Sequence, residues 1–465
     1  MSEAAIAAGA AVCIAVPLLL YVSTRRLQRR QARLERGGWY HPAILAVALT
    51  ALASGFAQFA ATAALGDVAR AFGEESGGDS VVAQVGLSGT TLGVGLAIIR
   101  LASLGALPLA ALADRHGRRR VLLGSVATGL AVTAVAALSP GFWWFVALFA
   151  LARPSLSATN ALAVVVAAEK TNSRHRAKAI ALVNAGYGMG VGLTALVRGA
   201  AGESLSFRGL FALALVPLAA TALFARRLEE PDRYRRLQAA TDPALVAVRP
   251  GALGRVRDEL RPRLWLLAVL AFAITFVIGP ASTFLFVYAE NALGMSRSAT
   301  AAMFLAAAPV GLAGLLLGRW AADTLGRRRT AGAAQAVVAL ACMLTYSGSR
   351  PAVAAGYLLG TLAGAAYGLS FGALSAELFP TSQRATAAGW LLVAGVLGAV
   401  AGLLAFGRLA DVLASFAGAA VLVAVPVVVL SLLFARLPET RGLELEQSAP
   451  DEGVDGSGDV QVERL

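Results

Sequence analysis

The sequence has few charged residues. Only 14% of its 465 residues are Asp, Glu, Lys or Arg, whereas about a quarter are charged in an average soluble domain. The hydrophobic fraction is 58% and the mean hydropathy is +0.70. Water-facing domains of this length could not hide so much apolar surface, so the composition excludes a soluble globular protein and indicates a membrane protein.

Cysteine and histidine are scarce as well. Cys13 and Cys342 both lie in apolar runs, which excludes a disulfide scaffold and a cysteine-rich metal site. The three histidines lie in arginine-rich segments without metal-ligand spacing: His41, His116 and His175. The sequence shows no catalytic constellation, so we predict that the protein is not an enzyme and carries no metal or cofactor.

Long apolar runs are abundant. A helix needs about 20 mainly apolar residues to cross ~30 Å of hydrocarbon. Thirteen segments qualify, one early segment followed by two sets of six. They lie near residues 4–22, then 43–65, 81–112, 120–139, 142–167, 177–200 and 207–226, and then 263–288, 298–321, 330–347, 352–378, 385–408 and 413–435.

The first run predicts an extra membrane anchor. It begins without Lys or Arg and lacks a small-x-small cleavage site, which argues against a cleaved signal peptide. The predicted organisation is an anchor with a basic linker, a first bundle, a cytoplasmic loop, a second bundle and a disordered cytoplasmic tail: residues 1–39, 40–226, 227–262, 263–436 and 437–465.

The positive charge is distributed unevenly along the chain. With the linker after the anchor inside, 31 of the 40 Lys and Arg residues fall in cytoplasmic segments. The positive-inside rule then predicts a multi-pass protein of the cell membrane, with its N-terminus outside and its C-terminus in the cytoplasm. The net charge of +13 is therefore explained by orientation in the bilayer, and we expect no nucleic-acid partner.

The two sets of six runs share an internal repeat. ADRHGRRR at 113–120 recurs as ADTLGRRR at 322–329, an offset of 209 residues. AEKTNSRHRAKA at 168–179 matches AELFPTSQRATA at 376–387 with an offset of 208, and LFAR recurs with an offset of 210. Three matches at nearly one spacing predict two equivalent bundles related by a pseudo-two-fold axis along the membrane normal.

These motifs resemble the major facilitator superfamily of secondary transporters. The family's motif between helices 2 and 3, Gly-x-x-x-Asp-Arg-x-Gly-Arg-Arg, lacks its first glycine in both halves; it is matched by Asp114, Arg115, Gly117, Arg118 and Arg119, and it recurs as Asp323, Gly326, Arg327 and Arg328. AELFPTSQRATAAG and LPETRG resemble the sugar-porter and metabolite-symporter branches. The resemblance implies an all-α integral membrane protein of two six-helix bundles, with the N-terminal helix as an addition. The stretch GYGMGVG in helix 5 lacks the proline of drug-proton antiporters, which weakens an efflux assignment.

Carboxylates and arginines at the cytoplasmic helix ends are candidate gating residues. We expect Asp114 to pair with Arg118 and Arg119, and Glu169 with Arg176. If these pairs form only when the cytoplasmic gate is shut, they stabilise the outward-facing state; alternatively, they only set loop turns and topology. The complete set, in which Asp323 pairs with Arg327 and Glu377 with Arg384 in the second half, is Asp114, Arg115, Gly117, Arg118, Arg119, Glu169, Arg176, Asp323, Gly326, Arg327, Arg328, Glu377, Arg384, Glu439 and Arg441.

Two arginines fall inside predicted spans. Arg100 lies about 21 Å along its helix from Asp114, near the membrane midplane, and Arg153 lies near the middle of helix 4. A charge at this depth costs several kcal/mol unless it is paired or wet. They either attract an anionic substrate or bond to carbonyls and amides, with Asn160, Asn184 and Gln58 able to solvate them. The candidate substrate-binding residues are Arg100, Arg153, Asn160, Asn184, Glu290 and Asn291.

Energy coupling and close helix packing have weaker signals. Glu290, beside Asn291, is the best candidate for proton coupling, although a solvated loop acid is the favoured interpretation, so uniport and exchange stay open. Glycines spaced by four in helix 10, from Gly356 to Gly372, predict a smooth face for close helix approach.

The sequence therefore predicts a secondary active transporter that moves a small solute by alternating access. A metabolite, an organic anion or a sugar would fit. A drug or metabolite efflux antiporter and a non-transporting sensor of the same fold are the alternatives. The expected partners are the small-molecule substrate and the lipid bilayer, with protons as a candidate coupling ion, and we expect a monomer.

Overall fold

A computed structural model describes residues 41–73, 81–225, 228, 254 and 256–441. All regular structure in these residues is helical. The predicted anchor at 4–22, its basic linker, most of the loop 227–262 and the tail beyond residue 441 lie outside the described residues.

Two successive sets of six helical passes make up the described chain, as the repeat predicts. We number them α1–α12. Their bounds are α1 Pro42–Ala63, α2 Gly89–His116, α3 Arg118–Leu138, α4 Phe142–Lys170, α5 Ser173–Ala201, α6 Phe207–Ala212 with Leu215–Ala225, α7 Arg261–Thr283, α8 Arg297–Thr324, α9 Arg327–Thr345, α10 Arg350–Glu377, α11 Thr381–Leu413 and α12 Phe416–Arg436.

Ten helices in the described residues are long and apolar enough to cross a membrane. The other two passes are α6, which is divided into two short pieces, and α9, which begins with three arginines. A 3₁₀ turn at Ser103–Gly105 also interrupts α2. The sequence predicted these passes but not their interruptions.

Serine residues define where several helices start. The hydroxyl oxygens of Ser88, Ser296, Ser349 and Ser415 accept a backbone N–H in the first turn of α2, α8, α10 and α12. A serine at this position satisfies one of the N–H groups that a helix N-terminus leaves unpaired. These four helices start at the same end of the protein.

Glycines bring equivalent helices together in each half. A Cβ on Gly190 of α5 would collide with the carbonyl of Leu52 in α1, and a Cβ on Gly402 of α11 would collide with the carbonyl of Phe276 in α7. The α1–α5 contact thus has its counterpart in the α7–α11 contact, so the internal repeat is also visible in the packing.

The glycine stripe of α10 packs differently from the prediction. Gly356 lies against the backbone of Thr345 in α9, but no atom of the described residues lies within 4 Å of a Cβ position on Gly364, Gly368 or Gly372. The expected close-contact face is therefore wrong for the second half of the stripe.

The two halves meet at one end of the bundle. We call the end that carries the loops at 116–118 and 324–327 the motif end, and the other the opposite end. Near the opposite end, Gly89 and Gly93 of α2 lie against Gly407 and Leu403 of α11, and Gly199 of α5 lies against α8. No space is left for side chains at these points, so the halves are tightly apposed there.

Candidate functional site

A cavity lies between the two halves. Its volume is about 520 Å³ including its open mouth. Its walls come from α1, α2 and α4 of the first half, and from α7 and α11 of the second: Gln58, Ala61, Thr62, Leu96, Ile99, Arg100, Phe149, Arg153, Leu156, Thr283 and Leu403.

Local helix irregularities position the two cavity arginines. Arg100 lies one turn before the 3₁₀ turn of α2, whose first residue, Ser103, donates its hydroxyl to the Arg100 carbonyl at 2.6 Å. Arg153 precedes Pro154 inside α4. A Cβ on Gly105 would lie 3.0 Å from the Pro154 ring, so the absence of a side chain at Gly105 allows α2 and α4 to approach closely beside both cations.

The two arginines form an uncompensated positive site. The Nε of Arg100 and the Nε of Arg153 are both buried without a hydrogen-bond partner among the described residues. Their positive charges repel each other. No described acidic residue lines the cavity, so the wall carries positive charge alone.

Gln58 is held rigidly in the same wall. Its Nε2 donates to the Ser54 hydroxyl at 2.9 Å and to the Leu156 carbonyl at 3.2 Å, while Ser54 Oγ also donates to the Leu156 carbonyl at 2.9 Å. These bonds tie α1 to α4 next to Arg153.

The other predicted binding residues lie elsewhere. Asn160 and Asn184 are not part of the cavity wall; the Oδ1 of Asn160 is buried without a partner in the described chain, and Asn184 is exposed. Glu290 and Asn291 lie at the opposite end. The structure thus brings together Arg100, Arg153 and Gln58 only.

A buried ion-pair network crosses between the halves at the opposite end. Arg198 of α5 binds both carboxylate oxygens of Glu290, at 2.5 and 2.6 Å, and Asp67 at 3.1 Å. Arg297 of α8 binds Asp67 at 2.7 Å. The side chains of Arg198 and Glu290 are only 3% and 2% exposed. The favoured interpretation of Glu290 as a solvated loop acid is therefore wrong.

Further polar contacts close the same end. Asp411 of α11 accepts the backbone N–H groups of Gly89 and Thr90, at 2.7 and 2.8 Å, at the N-terminus of α2. Asn291 Nδ2 donates to the Gly66 carbonyl at 3.1 Å. All of these bonds join one half to the other.

The motif end contains a repeated ion pair within each half. Arg118 pairs with Glu169 and, at 3.2 Å, with Asp114. The equivalent pair in the second half joins Arg327 to Glu377 at 2.5 Å. Each pair connects the start of one helix to the end of the next.

The pairing therefore differs from the prediction in three places. Glu169 and Glu377 bind the arginines of the loop motifs, whereas Arg176 and Arg384 donate their Nε to the carbonyls of Ala168 and Ala376. Asp323 lies 3.8 Å from Arg319, whereas its predicted partner was Arg327. These pairs form while the halves meet at the opposite end, so they do not require closure of the motif end.

The C-terminal segment completes the motif end of the second half. Glu439 accepts the backbone N–H of Arg327 at 2.9 Å, and Arg441 donates to the Thr324 carbonyl at 2.5 Å. Arg328 donates to the Leu437 carbonyl at 2.8 Å. In both loops the turn is made by a glycine, Gly117 or Gly326, with φ of 102°, a conformation that favours glycine.

Sequence reasoning missed the network at the opposite end. The sequence alone assigned no role to Asp67, Arg198, Arg297 or Asp411. The available signal was that acids and arginines occur there together, which would have suggested pairing.

Comparison with known proteins identifies the family. Residues 47–322 and 300–455 match the Major Facilitator Superfamily model. The chain belongs to the Major Facilitator Superfamily. It is accordingly a multi-pass membrane transporter of small solutes that works by alternating access, and not an enzyme.

Curated relatives are bacterial transport proteins. The chain is 25% identical to a cis,cis-muconate transport protein of Acinetobacter baylyi, over 70% of this chain and 81% of the relative. It is 28% identical to a gentisate transporter of Corynebacterium glutamicum, over 68% and 71%, and 27% identical to a putative metabolite transport protein of Haemophilus influenzae, over 62% and 71%.

Solved structures share the fold. The inward open conformation of the xylose transporter XylE from E. coli matches with a TM-score of 0.66 at 16% identity, covering 87% of this chain and 98% of that one. An inward-facing bacterial homologue of the human lysosomal transporter Spinster matches with a TM-score of 0.65 at 16% identity, covering 85% and 96%.

Proposed function

We propose that this transporter carries a small organic acid, whose carboxylate binds at Arg100 and Arg153. The observation that carries the proposal is the pair of cavity arginines, whose buried Nε groups have no partner among the described residues. Uncompensated cations at membrane depth are costly, and an anionic substrate would offset that cost. A guanidinium fork also matches the two oxygens of a carboxylate.

The rest of the cavity favours an organic acid over a sugar. Its wall is largely apolar, with Leu96, Ile99, Phe149, Leu156 and Leu403. These side chains suit a hydrocarbon or aromatic body, whereas a sugar needs several hydrogen-bonding groups around its ring. Two relatives named above are transporters of muconate and gentisate, both organic acids, which supports this substrate class.

The charge distribution supports an orientation. Lys and Arg are concentrated at the motif end, which the positive-inside rule assigns to the cytoplasm of a cell-membrane protein. The contacts at the opposite end then close the outer side, so the conformation is inward-facing. We place the outer gate at the network of Asp67, Arg198, Glu290 and Arg297.

The predicted gating residues have a different role in this proposal. The Arg118–Glu169 and Arg327–Glu377 pairs keep the motif end of each half rigid, while Asp114, 63% exposed, is available to contact the other half when that end closes. If protons are the coupling ion, Asp67, Glu290 and Asp411 are the carboxylates to test, because no described acid lines the cavity.

Transport in proteoliposomes tests the substrate class. We expect uptake of radiolabelled benzoate, 3-hydroxybenzoate or cis,cis-muconate by the wild type, and at least a tenfold loss with Arg100→Ala or Arg153→Ala, because a charge-assisted bond is removed. Arg261→Ala is the matched control, since Arg261 is 52% exposed and lies outside the cavity.

Uptake like that of the wild type in both cavity variants would contradict the proposal, as would xylose uptake without uptake of any acid. Binding of an acid without its accumulation would favour the sensor alternative.

A further inference from the structure

Gln58 presents a hydrogen-bond acceptor to the cavity. Its two bonds to Ser54 and Leu156 are both donated by Nε2, which has two hydrogens to give. Its Oε1 makes no hydrogen bond to any described residue, although the side chain is only 7% exposed and lines the cavity. The group left for a ligand is therefore a carbonyl oxygen.

The orientation of this amide follows from its neighbours. The Leu156 carbonyl can only accept a hydrogen bond, so the Gln58 atom beside it must be the nitrogen. Ser54 uses its own hydrogen on the same carbonyl, so its oxygen accepts from Gln58. The reversed amide would place its oxygen against the Leu156 carbonyl oxygen and lose the bond to that carbonyl.

The hydroxyl hydrogen of a second neutral polar residue in the wall, Thr283, is also engaged in a hydrogen bond within the protein. Thr283, from α7 of the other half, donates its hydroxyl to the Gly279 carbonyl at 2.6 Å. Its oxygen lone pair is what remains for a ligand. The cavity thus combines two cations with neutral acceptors from both halves, Gln58 and Thr283, beside the hydroxyl of Thr62.

This combination restricts the matching group on the substrate. An acceptor requires a donor, and an ammonium donor would be repelled by Arg100 and Arg153. A neutral hydroxyl satisfies the acceptor without adding charge. Its hydrogen bond is strong in a site that excludes water, and an analogue without the hydroxyl leaves the acceptor unpaired.

We propose that Gln58 is a specificity-determining residue that selects hydroxylated organic acids over their counterparts without a hydroxyl group. The inference rests on the proposed function, because the arginines must first hold the carboxylate. The hydroxyl must also lie at a defined distance from that carboxylate, because Gln58 is fixed by its bonds to Ser54 and Leu156.

Matched ligands test the proposal. Dissociation constants are measured for purified wild type, Gln58→Met and Gln58→Leu with benzoate and with 2-, 3- and 4-hydroxybenzoate. We expect the wild type to bind at least one isomer about tenfold more tightly than benzoate. We expect both variants to bind that isomer and benzoate equally, with benzoate affinity within about threefold of the wild type.

The control variant is Gln335→Met. Gln335 of α9 is also a buried glutamine but does not line the cavity, so this variant should keep the preference of the wild type. Ser54 still bonds to Leu156 in the Gln58 variants, and unchanged thermal unfolding would verify that they fold.

Each other outcome is decisive. Equal affinity of wild type for benzoate and all three isomers overturns the inference even if the variants fail to fold. A preference that persists in Gln58→Met overturns the role of Gln58. Failure of the wild type to bind any of these acids, with xylose bound instead, overturns the proposed function and not only the inference.

Discussion

Arg153 and Arg198 show how differently one residue type is accommodated within the same protein. The Nε of Arg153 is buried in the cavity wall without a described partner. Arg198 has a bidentate bond to Glu290 and a further bond to Asp67. Removal of the first cation relieves an uncompensated charge, whereas removal of the second leaves the buried carboxylate of Glu290 without its partner, although Asp67 keeps Arg297.

These environments predict opposite effects on stability. Arg153→Met should raise the apparent Tm in detergent by about 2–5 °C in the absence of substrate, while it abolishes acid binding. Arg198→Met should lower the apparent Tm by a similar or larger amount, since breaking a buried pair costs about 3–5 kcal/mol.

Unfolding monitored by intrinsic fluorescence would measure both shifts. Each variant serves as the control for the other, because the side-chain change is identical. A decrease in Tm with Arg153→Met would show that this arginine is stabilised by groups other than a substrate.

At the residue scale, the sequence predicted which charges would be costly to bury better than it predicted their contact partners. Arg100 and Arg153 were identifiable because a charge in an apolar run is expensive wherever the run folds. The partners of Glu169 and Glu377 were not identifiable, because the nearest arginines in sequence lie at the start of the following helix, whereas the actual partners lie at the start of the preceding helix. Gln58 gave no signal of its orientation, which depends on the Leu156 carbonyl of another helix.

At the scale of helices, glycine spacing predicts close packing only where the neighbouring helix is known. Gly188 and Gly190 belong to the same helix, α5. A Cβ on Gly190 would collide with the Leu52 carbonyl of α1, whereas no atom in the described part of the chain lies within 4 Å of a Cβ on Gly188. The two positions therefore form a matched pair for substitution.

Gly190→Ala should destabilise the first half by about 1–3 kcal/mol, because α1 and α5 must move apart to admit the methyl group. Gly188→Ala should leave stability unchanged or raise it by up to about 1 kcal/mol through better helix propensity. Thermal unfolding and expression of folded protein would distinguish them. Equal effects would mean that the α1–α5 contact is looser than in this structure.

The elements themselves were largely predictable from length and hydropathy. All twelve predicted spans from 43–65 to 413–435 have a helical counterpart in the described chain. The 3₁₀ turn of α2 and the divided α6 were not predicted, because hydropathy does not report backbone hydrogen bonding. The extent of close packing along the glycine stripe of α10 was overestimated, because a spacing of four residues defines a helical face but not whether another helix packs on that face.

At the scale of the molecule, the internal repeat and the contacts between halves have different origins. The ion pairs at the motif end recur in both halves, since they derive from the duplicated loop. The contacts that join the halves have no counterpart in the repeated motifs. The sequence could therefore predict two equivalent bundles but not where they touch.

Weakening the network should open the opposite end. Glu290→Gln removes the charge that binds Arg198, while Arg198 keeps Asp67 within its own half. We expect the equilibrium to shift toward separation of the halves at that end. Ser204 and Ser347 are exposed on different halves and can carry spin labels. Double electron–electron resonance should show a severalfold larger population of long distances in Glu290→Gln than in the wild type.

Glu259→Gln provides the control for this measurement. Glu259 is an exposed acid beside the start of α7, so its neutralisation should leave the distance distribution unchanged. An unchanged distribution in Glu290→Gln would mean that the Arg297–Asp67 pair, Asp411 and the glycine contacts keep the end closed without the Arg198–Glu290 pair.

Both cavity arginines belong to the first half, on α2 and α4, although the frame around them is nearly symmetric. Under the proposed function, the anion would stay attached to one bundle throughout the cycle, while the other bundle changes position over it. The first half would then hold the substrate, and the second half would move to open and close the site. The internal repeat gives two equivalent bundles, but among the described residues only the first bundle contributes charged side chains to the cavity wall.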